Sequence, residues 1–302
     1  MPEFQCAVAA AERDEHLFAT ASQVRRWLLV EVRGAWPSDA IRGGPLGEHT
    51  GADWRTSLKR RDVRPLAIRR GLQHRDPDGP VTLFFVEAGH GPHHHGRTWR
   101  RDIEHLGELV DASGSAPAGW QQHTDQILLV CTHGRHDPCC ATFGRPVVRH
   151  LHGGAYADDV WESSHVGGDR FAANLVVLPE SLYFGRVTPE RVDHVIADLR
   201  AGRLDLDLYR GRSTLSYAQQ AAEHFVRTEF DLVDIGAVVD VRQTGSRRFE
   251  VDLADGDVVE VELQRTLHAP GTALTCSGPA GAEHPVYRLL WSERRSAGTR
   301  RD

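Results

Sequence analysis

Residues 130–140 read VCTHGRHDPCC and gather three of the chain's five cysteines, Cys131, Cys139 and Cys140, around His133 and His136. Thiols and imidazoles this close together support four readings. A dithiol redox couple of the Cys-x-x-Cys kind relies on a helix N-terminus that lowers the first thiol's pKa. Here the cysteines stand eight and nine residues apart, and the vicinal pair could close only a strained disulfide. A zinc site could use Cys131, a thiolate of the Cys139-Cys140 pair and one or two histidines, although the usual two-residue knuckle is absent. The plainest reading is a buried strand-to-helix turn with inert thiols. Lastly, a [2Fe–2S] cluster takes four ligands, two per iron, and accepts thiolate and imidazole alike. A loop leaving a strand tip can wrap such a cluster because its backbone is free of ladder bonds. The remaining ligands must come from elsewhere, and WESSHVGGDRF (161–171) is the stretch to search.

The elements around these residues follow from hydrophobic period and turn chemistry. The apolar run 127–130 predicts a short buried strand ending at Cys131, and a helix follows over about 140–151. A strand at 160–163 precedes the glycine pair, and strands 174–178 and 182–187 are joined by a turn at Pro179, Glu180 and Ser181. Thr188 caps a helix that opens at Pro189; Val192, Val195, Ile196 and Leu199 form its apolar face, and Gly202 stops it. Strand, helix, strand, hairpin, helix is the order of a thioredoxin-like domain. The N-terminal third carries a fainter version, with strands at 27–32, 65–68 and 81–86 and a helix at 52–60, and reads as a degenerate copy. A helix is expected over 101–110, and the small-residue segment ASGSAPAG (112–119) has linker composition. The last third offers a helix at 216–228 and short strands near 237–242, 249–253, 258–263 and 286–291. The expected fold class is therefore mixed α/β (α+β). Residues 1–115 form an N-terminal α/β region, 116–205 a thioredoxin-like domain, and 206–302 a helix with a small antiparallel sheet.

Composition narrows the partners. A chain of 302 residues is long enough for two or three domains. No apolar run approaches the ~18 residues needed to span a bilayer, and MPEFQCAVAAAERDE lacks the basic flank and apolar core of a signal peptide. Five cysteines, an odd number, point to a reduced compartment, the cytoplasm. A net charge of −6 disfavours non-specific nucleic-acid binding, so neither nucleic acid nor membrane is expected as a partner. No nucleotide fingerprint, Gly-x-Ser-x-Gly or phosphate loop occurs, which favours a carrier over an enzyme.

CTHGRHDPCC followed by VWESSHVGGDRFAANLVVLPESLYFGRV resembles the sucrase/ferredoxin-like family, as do CAVAAAE and RRWLLVEVRG nearer the N-terminus. The resemblance covers roughly residues 5–230 and implies a thioredoxin-like ferredoxin domain. The first word of the name implies no glycosidase, and no acid pair in this chain argues for one. In that family Cys-x8-Cys supplies two thiolates and His-x-Gly-Gly-His two imidazoles to one [2Fe–2S] cluster. The first motif maps onto Cys131 and Cys140, and the first histidine onto His165, but Asp169 stands where the second histidine would be. The fourth ligand then falls to Asp169 through oxygen, a harder ligand than usual, or to His136, His133 or Cys139, or the cluster is lost. Asp169 also suits a plain role as N-cap of a helix carrying Phe171-Ala172-Ala173. Gly167 and Gly168 would let the backbone approach a cluster and aim N–H groups at its sulfides. Arg135 and Arg170 could offset its charge. His90, His93, His94 and His95 read as a solvated loop, Cys6 as structural and Cys276 as a bystander. The resemblance implies a [2Fe–2S] electron-transfer or redox-sensing protein with an unidentified redox partner protein. The alternative is a zinc-bound or metal-free thioredoxin-like scaffold that binds a partner protein.

Overall fold

Helix α1 (Cys6–Glu12) leads into strand β1 (Arg26–Glu31) in the computed structural model, which describes residues 4–71, 79–89, 96–109 and 119–296. Helices α2 (Gly44–His49) and α3 (Ala52–Arg60) return the chain to β2 (Val63–Arg69), followed by β3 (Val81–Glu87), β4 (Arg97–Ile103) and the short β5 (Gln121–His123). The middle of the chain is β6 (Ile127–Cys131), α4 (Pro138–His152), β7 (Val160–Ser163), β8 (Leu175–Leu178), β9 (Leu182–Phe184) and α5 (Pro189–Arg200). Then come β10 (Tyr209–Arg212), α6 (Tyr217–Glu229) and the strands β11 (Val238–Gln243), β12 (Arg248–Leu253), β13 (Val258–His268) and β14 (His284–Arg295). The protein is a sheet-rich mixed α+β fold.

Ten strands form one sheet in the order β10-β9-β8-β6-β7-β2-β1-β3-β4-β5. Strand β6 runs parallel to β7 and antiparallel to β8, which pairs antiparallel with β9. The N-terminal half repeats this arrangement: β1 is parallel to β2 and antiparallel to β3, and β3 is antiparallel to β4. In each half the second strand lies beside the first, and the third and fourth follow on its other side. The halves meet through β2 and β7, paired antiparallel at Ile68↔Ser163 and Arg69↔Glu162. The fainter pattern read from the N-terminal third is thus a full set of four strands in the same order. Residues 112–118 of the expected linker lie outside the described residues, and the segments on either side of them share this sheet.

Period-two alternation decides what each strand residue meets. Trp27 and Leu29 of β1 share a core with Ile127, Leu129 and Cys131 of β6. The alternates Leu28 and Val30 pack with Leu46, Trp54 and Leu58 of α2 and α3, whereas Leu128 and Val130 pack with Val147, Val148 and Leu151 of α4. Both sides of β6 and β8 are apolar for this reason, and every residue of either strand is buried. Helix α4 sits close on β6 because Gly144 has no side chain: a Cβ there would lie 2.1 Å from the Cys131 carbonyl oxygen. The helix starts two residues before the sequence expectation. Asp137 is its N-cap, accepting a 2.9 Å bond from the Cys139 amide, and Pro138 takes the first helical position.

The expected helix over 101–110 is corrected by the structure. Its first three residues belong to β4, and a 3-10 turn, Leu106–Glu108, follows. In RTWRRDI the residues Thr98 and Ile103 are buried and Arg97, Arg100 and Asp102 are exposed or half-buried, and full pairing with β3 outweighs the weak helical pattern. The C-terminal expectation holds: α6 packs Ala221, Ala222 and Val226 on Phe249, Val251, Val259 and Val261, the inward residues of a four-stranded antiparallel sheet β11-β12-β13-β14.

Helix α6 also carries an acid-sensitive group. The His224 ring stacks on Phe18 at 4.0 Å, and burial, with His16 nearby, pushes its pKa down to about 4. The unfolded chain therefore binds this proton more readily, and stability falls as the pH drops from about 6.5 towards 4, by about 2 kcal/mol at pH 5. His224→Phe keeps the ring stack and should lose less stability than the wild type between pH 8 and pH 5, read from denaturant midpoints. An equal loss in both would clear His224 of the effect.

Candidate metal centre

Three segments bring the sequence-predicted residues together. Cys131 ends β6, Cys140 lies in the first turn of α4, and His165 and Asp169 flank the glycine pair that follows β7. Cys131, Cys140 and Asp169 are 1%, 0% and 3% exposed, so their polar atoms must find partners within the protein. The Cys140 thiol donates to Asp169 Oδ1 at 3.1 Å, and His165 Nδ1 lies 2.8 Å from the same oxygen. The Cys131 thiol, hydrogen-bonded to Cys140, raises that thiol's pKa well above the ordinary value, and burial adds to the effect. For Asp169, burial alone would raise the carboxyl. Bonds from His165 and Cys140 and the charges of His165 and His136 outweigh it, and the carboxyl ends below its usual range.

His136 stands at the mouth of this cluster. Its ring lies 3.8 Å from that of His165, and its Nε2 is 3.7 Å from Asp169 Oδ2. One ligating atom from each of His136, His165 and Asp169 lies within 4.8 Å of the others. The two imidazoles are 37% and 30% exposed and form the wetted side, whereas the thiols lie inside. His133 is set deeper: its Nε2 donates to the Pro37 carbonyl at 2.7 Å, its ring meets Trp36 edge-on, and burial lowers its pKa. Its buried Nδ1 has no partner among the described residues.

Asp169 is not a helix N-cap. It opens a 3-10 turn, Asp169–Phe171, whose N-cap position is Gly168, and its carboxylate turns to the cysteine and the histidines instead. Cys139, next to Cys140, points elsewhere: its sulfur lies 3.3 Å from Cys276, and a bond from the Cys6 thiol lowers its pKa to about 6. Cys6 and Cys276, read from sequence as structural and as a bystander, therefore belong to a constellation with Cys139. Local spacing could not reveal it, because the partners lie 137 and 270 residues apart. Arg170 pairs with Glu15 at 2.5 Å, and Arg135 is exposed. His90, His93, His94 and His95 lie outside the described residues.

The loop between β7 and the 3-10 turn is tied at its ends by backbone bonds, from the Ser164 amide to Ala67 and from the Phe171 amide to Gly168, and along its length by side chains. Arg64 donates to the His165 carbonyl, Ser22 to Val166, Arg210 to Gly167 and Asn174 to Gly168, at 2.8–3.0 Å. Arg210 is fully buried, also meets Asn174 Oδ1 at 2.7 Å and the Thr20 carbonyl at 2.5 Å, and stays protonated although burial pulls its pKa down to about 10. Among the described residues, the amides of His165, Val166, Gly167 and Gly168 donate to no backbone carbonyl. That leaves N–H groups beside the cluster of ligating atoms.

Comparison with known proteins gives a consistent set. The family model described as Sucrase/ferredoxin-like matches residues 17–211. The chain is 32% identical over 102 residues to Altered inheritance of mitochondria protein 32 of Meyerozyma guilliermondii, a match that covers 30% of this chain and 36% of that protein. Its namesake in Debaryomyces hansenii is 30% identical over 95 residues, covering 28% and 35%, and the one in Candida glabrata 28% over 106 residues, covering 30% and 34%. The chain spans about a third of the length of the curated relatives it matches. No solved structure matches.

Gly168 has φ +81°, and a Cβ there would lie 2.2 Å from Arg210 Nη2. The guanidinium cannot retreat without breaking its own bonds. Gly168→Ala should therefore cost about 2–3 kcal/mol, read as a lower denaturant midpoint. An unchanged midpoint would mean that the loop yields freely.

Proposed function

Because the chain belongs to the sucrase/ferredoxin-like family, we propose that it is a [2Fe–2S] electron-transfer or redox-sensing protein of the thioredoxin-like ferredoxin type. The observation that carries this reading is the run of contacts Cys131–Cys140–Asp169–His165, whose thiols and carboxylate are buried and whose imidazole reaches solvent. Two thiols, an imidazole and a carboxylate make a four-donor set that suits two irons. In this reading Cys131 and Cys140 are the inner ligands and His165 and Asp169 the outer ones. The strand order β7-β6-β8-β9, with β6 and β7 parallel and β8 and β9 antiparallel, supports the thioredoxin-like assignment. When bound, such a cluster supplies one-electron redox chemistry.

The chain's own residues then have distinct tasks. Cys140, held protonated by Cys131 and by burial, gives up its proton on ligation, so cluster assembly is favoured by rising pH. The amides at 165–168, which among the described residues donate to no backbone carbonyl, can donate to sulfides, and the glycines carry no side chain to obstruct them. Exposed edges of His165 and His136 form the route by which an electron enters or leaves, and a redox partner protein docks on that rim. All five cysteines are free thiols, which suits the reduced setting of the cytoplasm.

Anaerobically purified protein should show visible charge-transfer bands with two irons and two acid-labile sulfides per chain. Cys131→Ser and Cys140→Ser should each abolish the bands. His136→Ala should keep them, and Asp169→His should keep them with a higher midpoint potential, since a neutral imidazole replaces an anionic ligand. Protein that stays colourless after reconstitution with iron and sulfide would sink the proposal. Loss of colour in His136→Ala together with its retention in Asp169→Ala would move the fourth ligand to His136.

With His165 on iron, the midpoint potential should fall as the pH rises from about 6 to 9, because reduction favours imidazole protonation. A flat profile would take His165 out of the ligand set.

A further inference from the structure

Beside the first cluster, on the opposite side of the Cys139–Cys140 peptide, lies a second group of sulfur atoms. Cys139 Sγ is 3.3 Å from Cys276 Sγ, which is 3.6 Å from Cys6 Sγ. Asp137 reaches the same point, with its oxygens 3.6 and 3.7 Å from the Cys6 sulfur, and one ligating atom from each of the four residues lies within 4.8 Å of the others. Cys6 and Cys139 are 0% exposed, and Ala7 and Ala172 pack against them.

We propose that Cys6, Cys139, Cys276 and Asp137 bind a thiophilic divalent cation, with Zn²⁺ as the fitting ion, at a site separate from the one formed by Cys131, Cys140, His165 and Asp169. Zinc bonded to sulfur at ~2.3 Å in a tetrahedron sets its thiolates about 3.8 Å apart. The sulfurs here need to spread by only a few tenths of an ångström to reach that spacing. Three thiolates and one carboxylate complete a closed four-coordinate shell, the form of a structural rather than a catalytic zinc site. Asp137 has capacity to spare: each oxygen already accepts one backbone N–H, from Cys139 at 2.9 Å and Cys276 at 2.7 Å, and each keeps a further lone pair. Those two amide bonds orient the carboxylate and draw the Cys276 loop onto the start of α4 before any ion arrives. Cys139 lies in the first turn of α4, where the helix N-terminus favours thiolate.

The ion would join three distant parts of the chain: α1 through Cys6, the start of α4 through Asp137 and Cys139, and the connection between β13 and β14 through Cys276. Helix α1 packs against the 3-10 turn that carries Asp169, so such a clasp steadies the wall behind the first site.

The test is metal uptake by reduced, anaerobic, full-length protein. The wild type should bind Zn²⁺ tightly at this site, in competition with a chromophoric chelator. Co²⁺ in its place should give the intense visible bands of a tetrahedral thiolate complex. Both signals should persist in Cys131→Ser and should vanish in Cys6→Ser and in Cys276→Ser. The iron-dependent spectrum should survive those last two substitutions, so failure here and failure of the iron–sulfur reading can be told apart. Chelation should lower the thermal midpoint of the wild type by several degrees but leave Cys276→Ser unmoved. A reduced wild type that binds neither ion would overturn the proposal. So would uptake lost in Cys131→Ser but kept in Cys6→Ser and Cys276→Ser.

Discussion

Four consecutive carbonyls, from His165 to Gly168, each accept a hydrogen bond from a side chain that belongs to a different part of the chain. Backbone bonds tie this loop at its ends, Ser164 to Ala67 of β2 and Gly168 to Phe171. Between those ends its carbonyls are held by Arg64 from β2, Ser22 ahead of β1, Arg210 from β10 and Asn174 just before β8. Arg210 is the costly member, a cation with no accessible surface whose charge is dispersed over carbonyl, hydroxyl and amide oxygens rather than paired with one carboxylate. Because these donors come from elements on both sides of the β2–β7 junction, the loop is in place only when both halves of the sheet are assembled. The positions of His165 and Asp169 are therefore a property of the whole fold and not of the HVGGD segment.

The beginning of α4 imposes the second constraint. Consecutive residues on an α-helix diverge by about 100°, so Cys139 and Cys140 cannot serve one site together without distorting the first turn. Asp137 fixes where that turn begins, and from there Cys140 faces Cys131 and Asp169 while Cys139 faces Cys6 and Cys276. Gly144, two turns of chain from the cap, lets the helix sit directly on the Cys131 carbonyl, on the same strand end whose thiol bonds to Cys140. A vicinal pair that looks redundant in the sequence is thereby divided between two environments.

Much of this was legible in the sequence because the relevant signals are local. The apolar run before Cys131, the turn 179–181 and the Pro189 helix follow from period and turn chemistry, and β6, the β8–β9 hairpin and α5 appear where those signals lie. Cys140 and His165, read from the paired motifs, both bond to Asp169, and Cys131 bonds to Cys140. The start of α4 was also within reach, since Asp-Pro is an N-cap followed by a favoured first residue. What could not be read is whatever depends on distant strands. RTWRRDI became a strand because β3 offered it an edge, Asp169 left the cap position because buried thiol and imidazole partners competed for it, and Cys6 found Cys276 across 270 residues.

The duplicated strand order gives the N-terminal copy an unexpected part. Its turn after β1 carries no thiol, yet Pro37 and Ser38 accept hydrogen bonds from His133 and His136 of the other copy, at 2.7 and 3.4 Å, and Trp36 packs on His133. Arg69 lies over Trp36 and pairs with Glu162, which also accepts from Thr132 beside Cys131. The half that carries Cys131, Cys140, His165 and Asp169 thus rests its histidines on the turn of the other half. Cutting the chain down to its donor-bearing half would strip the open margin of β7 bare, an invitation to self-association, and would leave two imidazoles without their acceptors. A minimal fragment of this protein has to include both halves of the ten-stranded sheet.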